Sequence, residues 1–425
     1  MISKRWFISF ICLIIILSAI PAHAQSESPA QPTLNAKGAI LIEASTGKVL
    51  FEQDADISIA PASFTKIMTL YLTFEAIKQG LVRLEDEIWV SKRAWQTGGS
   101  KMFIEVNEQV PLEELIKGIA VVSGNDACVA VAEHLYGSVD AFVTAMNRKA
   151  SELGLAGTHF ANPHGLPDEE QVTTPRDMAV LCRDYLQRFP EALKYHSMQE
   201  YTFNEITQPN RNRLLVKDNT VDGLKTGYVA DAGYHLTATA LRDGMRLIAV
   251  VMGAESPRVR EREALKLLNY GYRHYARATP FDSQTAAARV KIWKASIEEL
   301  DLFPEHTVNM IVPHAKKDSI HWEITTEPRV VAPVAAGQKL GEITIYLGDD
   351  LVEKVPLVSN VEVPPGPWYK RLWHGLLMFG PAYWKVAGAA VAGLFILLVI
   401  VSFFRRRGSA RRGSSPLGGK TRTKW

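Results

Sequence analysis

Cysteine is scarce in this chain, with three in 425 residues. None lies in a C-x-x-C pair and no H-E-x-x-H occurs, which excludes a dithiol redox centre and a zincin-type metal site. Cys12 sits in an N-terminal apolar run. Cys128 and Cys182 each fall inside an apolar helical pattern, so both are expected as buried free thiols. Net charge is small as well, +3 at neutral pH. Much of the basic excess sits at 405–407 and 411–412, and no nucleic-acid partner is expected. There is no internal repeat and, outside the basic tail, no low-complexity tract. What remains, 47% hydrophobic and 22% charged residues, is the composition of a folded protein long enough for two domains.

Both ends carry membrane signals. Lys4 and Arg5 precede the run "FISFICLIIILSAI", and "AHA" (22–24) offers small residues for cleavage. This is the pattern of a secretory signal over 1–24, with a mature chain starting near Gln25. Near the other end, 386–404 carries no charge and suffices to cross a bilayer. The arginines that follow place the tail, 405–425, on the cytoplasmic side. The stretch 364–385 is rich in Trp and Tyr, as suits a membrane–water interface. The expectation is an exported protein held at the outer face of the cytoplasmic membrane by its C-terminal helix.

Between these signals, 25–36 reads as a linker. "GAILIEASTGKVLFEQDAD" alternates around a Ser-Thr-Gly turn and predicts a β-hairpin. "PASFTKIMTLYLTFEAIKQG" follows a helical period, with Pro61 and Ser63 suited to its start and Gly80 to its end. From 84 to 182 the pattern is mostly helical, with a break at Ser123-Gly124-Asn125. Strands return at "VDGLKTGYV" and in a hairpin that turns at Asp243-Gly244, followed by a closing helix. A composition shift near 281 introduces short β-like runs, predicting a second, all-β domain over 281–363.

Ser-x-x-Lys spacing occurs twice, at Ser45/Lys48 and Ser63/Lys66. In the hairpin turn the first pair need not share a face; on a helix the second does. A serine hydroxyl needs a base, and a lysine kept neutral by burial or neighbouring positive charge can serve. Downstream come Ser123-Gly124-Asn125 and Lys225-Thr226-Gly227. Each motif alone reads equally well as a helix start, a polar helix break or a strand-end turn. In this order and context they form the three-part pattern of penicillin-interacting serine enzymes.

With the flanks "APASFTKIMT", "GIAVVSGNDACVAVAEHL" and "VDGLKTGY", the stretch from about 36 to 280 resembles the D-alanyl-D-alanine carboxypeptidases, the low-molecular-mass penicillin-binding proteins. The resemblance implies an α/β (α+β) fold of the transpeptidase type, with an antiparallel sheet and a helical subdomain over 37–280, then the β-rich domain and membrane anchor. It implies that Ser63 is the nucleophile, Lys66 its base, Ser123 a proton relay to the leaving amine, and Asn125 the group that orients Lys66. Lys225 would add positive charge that helps keep Lys66 neutral. Thr226 and Arg211 would bind the substrate's terminal carboxylate, and Gly227 would let backbone approach closely. The amides of Ser63 and Tyr228 would form the oxyanion hole. Arg260 matches a recurring arginine of less defined role, and a surface ion pair is the plain alternative for it and for Arg211. Tyr228 departs from the histidine that often follows Lys-Thr-Gly. The implied partners are peptidoglycan stem peptides ending in D-Ala-D-Ala and β-lactams as acylating inhibitors, with no metal or organic cofactor.

Two rivals share parts of this pattern. A class A β-lactamase would need a glutamate to activate the deacylating water; Glu169 and Glu170 lie between the second and third motifs, in a stretch that reads as a solvated acidic loop. A non-catalytic wall-binding scaffold could keep the fold without the chemistry. His134, His159 and His164 read as unremarkable loop or surface residues.

Overall fold

The computed structural model describes residues 31–377 and 381–410. The expected signal, 1–24, and the tail beyond 410 lie outside the described residues. Alternation produces the first hairpin, Gly38–Glu43 paired antiparallel with Val49–Gln53. Its turn is tied by the Glu43 carboxylate, which accepts from Ser45 Oγ at 2.8 Å and Thr46 Oγ1 at 2.7 Å. Lys48 Nζ donates instead to the Ile311 carbonyl at 2.7 Å. The Ser45/Lys48 pair is therefore split between separate partners.

The hairpin joins a five-stranded antiparallel sheet, in the order Val49–Gln53, Gly38–Glu43, Met245–Ala254, Gly233–Arg242, Val221–Val229. The last two hairpin strands turn at Asp243 and Gly244, both at positive φ (47° and 74°), the backbone that a two-residue hairpin demands. Successive side chains of the central strands enter opposite layers. Ile40, Ile42, Ile248 and Val250 pack into the core shared with the helices inserted between Gln53 and Val221. Leu41, Leu247, Ala249 and Val251 pack against Ala264, Leu267 and Leu268 of the closing helix Pro257–His274. Burial on both faces explains why these strands are nearly continuous apolar runs.

The inserted helices include Thr65–Lys78, Asn125–Tyr136, Val139–Glu152 and Pro175–Arg188. Their ends follow ordinary capping chemistry: Thr174 accepts from the Asp177 amide at 3.0 Å, with Pro175 in the first turn. The expected break is real, because Ser123 adopts φ 64° and the helix resumes at Asn125. One expectation needs correction. Ser63 makes no cap hydrogen bond; it lies in a 3-10 turn, Ala62–Phe64, that leads into the helix and leaves its hydroxyl free for another partner.

The chain divides into two units, and 309–318, which sequence assigned to the β-rich region, falls in the first. Ile311 is buried in that unit's second core cluster, and Arg277 donates to Asn309 Oδ1 at 2.7 Å. Part of the expected linker is docked as well: Leu34 is buried, and its amide donates to Gln53 Oε1 at 3.2 Å. The second unit contains a six-stranded sheet, including Glu299–Pro304, a strand the sequence reading did not single out. Its C-terminal helix, Pro381–Ala410, contains a candidate span, Tyr383–Arg405, of mean hydropathy 2.7 and with none of its apolar window buried. A buried core helix would look different. Ahead of it, the helix Trp368–Leu377 exposes Trp368, Leu372 and Trp373.

Cys128 and Cys182 are free, unpaired with each other and fully buried. An aromatic-disulfide thiol reagent should modify neither in the folded protein and both after unfolding, read by absorbance and by mass.

Candidate active site

The turn Ala62–Phe64 and the helix after it bring Ser63 and Lys66 together, with Lys66 Nζ 3.1 Å from Ser63 Oγ. Lys66 is wholly buried and has no carboxylate partner among the described residues. Its other neighbours are Asn125 Oδ1 at 2.6 Å and the His164 carbonyl. Burial pushes its pKa down to about 8; the Arg211 charge acts in the same direction and Asp126 opposes it. A neutral amine has two N–H donors and one lone pair. Two of its three neighbours are carbonyl oxygens, which can only accept. In the neutral form the two N–H groups go to Asn125 and His164, and the lone pair is left for the Ser63 hydroxyl.

Asn125 is fixed from its other side. Its Nδ2 donates to the Gly98 carbonyl at 2.7 Å and its amide to the Ser100 carbonyl at 2.7 Å. The neighbouring Asp126 carboxylate, buried, accepts from the amides of Met102, Phe103 and Ala127 at 3.0–3.1 Å. This pins the loop before Met102 to the start of the helix. Ser123, in its left-handed conformation, is buried and its Oγ has no hydrogen-bond partner.

The opposite wall is the edge strand Val221–Val229. Lys225 is buried, and its Nζ reaches only the Thr226 carbonyl, at 3.4 Å. Its pKa is driven well below the usual lysine range, by burial first and then by the charges of Lys66 and Arg211. For Lys66 itself, burial outweighs any neighbouring charge. A Cβ on Gly227 would lie 3.2 Å from Ala62 Cβ and 3.3 Å from the Pro61 carbonyl. Glycine there lets the strand close on the turn that carries Ser63, bringing the Tyr228 and Ser63 main chains to one lip of the cleft.

The cleft holds about 1240 Å³ and is lined by Ser63, Asn125, Thr226, Gly227, Tyr228, Arg211 and Arg260, among others. Lys66, Ser123 and Lys225 sit behind this lining rather than in it. Arg260 is 7% exposed, which removes the surface ion-pair reading. Its guanidinium makes only long contacts, Nη1 to the Gly227 carbonyl and Nη2 to the Arg211 carbonyl, both 3.4 Å, and its Nε has no partner. Arg211 is exposed at the rim. Cationic side chains around one corner, where the one lining carboxylate, Glu261, is paired with Lys217 at 2.6 Å, suit an anionic ligand group. Glu169 and Glu170 are exposed and do not line the cleft. No group of three or more His, Cys, Asp or Glu that could hold a metal occurs among the described residues.

His164 is the residue that sequence reasoning passed over. It is in a loop, as expected, but it lines the cleft, and its carbonyl is an acceptor for Lys66. Its ring Nδ1 accepts from the Leu166 amide at 3.2 Å, and burial holds its pKa down to about 3. His134 and His159 are exposed. The signal available was the adjacent Gly165. Its φ is +87°, and a Cβ there would sit 1.9 Å from the Ala62 carbonyl oxygen. Only glycine lets this loop press on the nucleophile turn.

A serine whose available base is a buried lysine, faced by a Ser-x-Asn corner and a Lys-Thr-Gly strand, defines the class of penicillin-interacting serine acyl-enzymes. Comparison with known proteins narrows the class. A family described as D-alanyl-D-alanine carboxypeptidase matches residues 25–256, and one described as the C-terminal domain of penicillin-binding protein 5 matches 275–365. The chain is 38% identical to D-alanyl-D-alanine carboxypeptidase DacC of Escherichia coli, over 86% of this chain and 93% of that one. It is 34% identical to DacF of Bacillus subtilis, over 85% and 95%. Penicillin-binding protein 5 of Haemophilus influenzae superposes with a TM-score of 0.69 at 34% identity, covering 79% of this chain and 99% of that one. The chain belongs to the D-alanyl-D-alanine carboxypeptidase family, and its activity is that of a serine-type D-Ala-D-Ala carboxypeptidase.

Gly165→Ala should displace the Ala62–Ser63 backbone. The expected result is slower acylation by labelled penicillin together with a stability loss of about 1–3 kcal/mol, read from gel fluorescence and thermal unfolding.

Proposed function

We propose that Ser63 Oγ attacks the peptide carbonyl between the two terminal D-alanines of a peptidoglycan pentapeptide stem. The bond from Oγ to carbon forms as the hydroxyl proton passes to Lys66 Nζ. The carbon–nitrogen bond then breaks, and the departing D-alanine amine takes a proton relayed through the Ser123 hydroxyl. Water hydrolyses the acyl-enzyme, leaving a tetrapeptide stem. Asn125 holds Lys66 in register and faces the substrate backbone. Thr226, Arg211 and Arg260 receive the terminal carboxylate, with the buried Lys225 amine behind them. The amides of Ser63 and Tyr228 receive the developing oxyanion, and Gly227 permits their approach.

One observation carries this reading: a buried lysine amine beside Ser63 Oγ, with no carboxylate to keep it charged. The preponderance of arginine in the cleft supports an anionic substrate terminus. β-Lactams, which present a strained amide beside a carboxylate, would acylate the same serine. We further propose that the protein is exported and that its C-terminal helix anchors it to the cytoplasmic membrane, with the catalytic unit, about 37–280, on the outer face. The exposed aromatic residues of Trp368–Leu377 and the apolar span support that placement.

The test incubates full-length protein in detergent with a D-Ala-D-Ala pentapeptide and assays free D-alanine. Ser63→Ala should lose release by a thousandfold or more, on the order of other nucleophile deletions, and should no longer be labelled by penicillin. Unchanged release would refute the assignment. Because the base must be neutral, acylation should rise about tenfold per pH unit up to roughly pH 8 and level off above it; a profile flat from about pH 6 to 10 would exclude Lys66.

A further inference from the structure

Thr226 and Tyr228, two residues apart on the edge strand, project from the same face. Thr226 is almost fully buried, whereas Tyr228 is 53% exposed, the most open large aromatic lining the cleft. Tyr228 is directly opposite Tyr234 in strand register, and the two rings stack with centroids 4.3 Å apart and planes inclined by 26°. Tyr234 is held in turn, with its ring centroid 5.7 Å from the Arg260 guanidinium carbon. Arg260 is buried against the Gly227 carbonyl. Arg260, Tyr234 and Tyr228 are thus linked by successive contacts between the cationic corner and the open cleft. One face of the Tyr228 ring is used in the stack. The ring's orientation is already set, so little side-chain entropy remains to be lost when something covers the rest.

We propose that the open part of the Tyr228 ring is a stacking platform for acylating ligands that carry an aromatic group beside their carboxylate. This rests on the reading that Thr226, Arg211 and Arg260 hold that carboxylate. A D-alanine leaving group offers only a methyl to this platform. A β-lactam whose carboxylate-bearing ring continues into an aromatic substituent offers a second ring at stacking distance from the first. The preference falls on the leaving-group side of the cleft and is independent of the acyl side chain. A histidine at position 228 would present a smaller and more polar ring.

The experiment compares two cephalosporins with the same thienylacetamido acyl group: nitrocefin, whose 3-substituent is a dinitrostyryl group, and cephalothin, whose 3-substituent is acetoxymethyl. Second-order acylation constants are measured on the full chain in detergent for wild type, Tyr228→Phe and Tyr228→Leu. The change in the nitrocefin/cephalothin ratio between variants cancels the intrinsic reactivity of each compound and any general loss of active-site order. The ratio should be kept by Tyr228→Phe and should fall about two- to tenfold in Tyr228→Leu, the range of an aromatic pair. An unchanged ratio in Tyr228→Leu, whether both constants hold or both fall together, would overturn the platform while leaving the Ser63 reading intact. Failure of wild type to be acylated by either compound would remove the Ser63 reading, and the platform with it.

Discussion

A lysine amine buried without a counter-ion is the constraint around which this site is organised. Taking an ammonium out of water costs several kcal/mol, and among the described residues no carboxylate pairs with Lys66 to offset it, Asp126 acting only at a distance. The system responds by lowering the pKa, and the lowered pKa is what makes the group useful as a base. The depressed amine still needs its two N–H groups satisfied. Those acceptors come from far along the chain, Asn125 and His164, so the helix start and the 162–166 loop must both be in place before Lys66 can point its lone pair at Ser63. The tethers behind them serve the same end. Asp126 fastens the loop before Met102 to the helix, and Asn162 Oδ1 accepts the Gly165 amide at 2.7 Å.

Much of this was legible from the residues alone, because the determining signals were local. Asp243-Gly244 requires positive φ and defined its hairpin; Ser123-Gly124-Asn125 marked a helix break; the helical spacing of Ser63 and Lys66 put both on one face. The pair Ser45/Lys48 was separated from them by its turn context, and the structure gives that serine to Glu43. What stayed hidden was non-local. That Ser63 is spared capping duty, that a carbonyl at 164 meets an amine at position 66, and that Arg260 lies buried beside the Gly227 carbonyl are consequences of tertiary packing. The docking of 309–318 into the first unit is of the same kind, since a strand pattern carries no indication of which core will take Ile311.

The cleft's charge separates this enzyme from its nearest chemical rival. A class A β-lactamase clears its acyl-enzyme with a glutamate that activates water. Among the described residues lining this cleft, Glu261 is the single carboxylate, and Lys217 holds it at 2.6 Å. Glu169 and Glu170 face solvent elsewhere. On the proposed mechanism, hydrolysis of the acyl-enzyme then falls to the same amine that assists its formation. An amine placed to reach Ser63 Oγ serves a small peptidyl ester that leaves the approach of water open. On the same proposal it serves poorly when the bulk of an opened β-lactam, its carboxylate drawn to the arginines, occupies that approach. On the proposed mechanism, carboxypeptidase turnover and slow release of penicillin share one geometry: one lysine base, no carboxylate free to activate water, and a cationic corner that retains the anionic leaving portion.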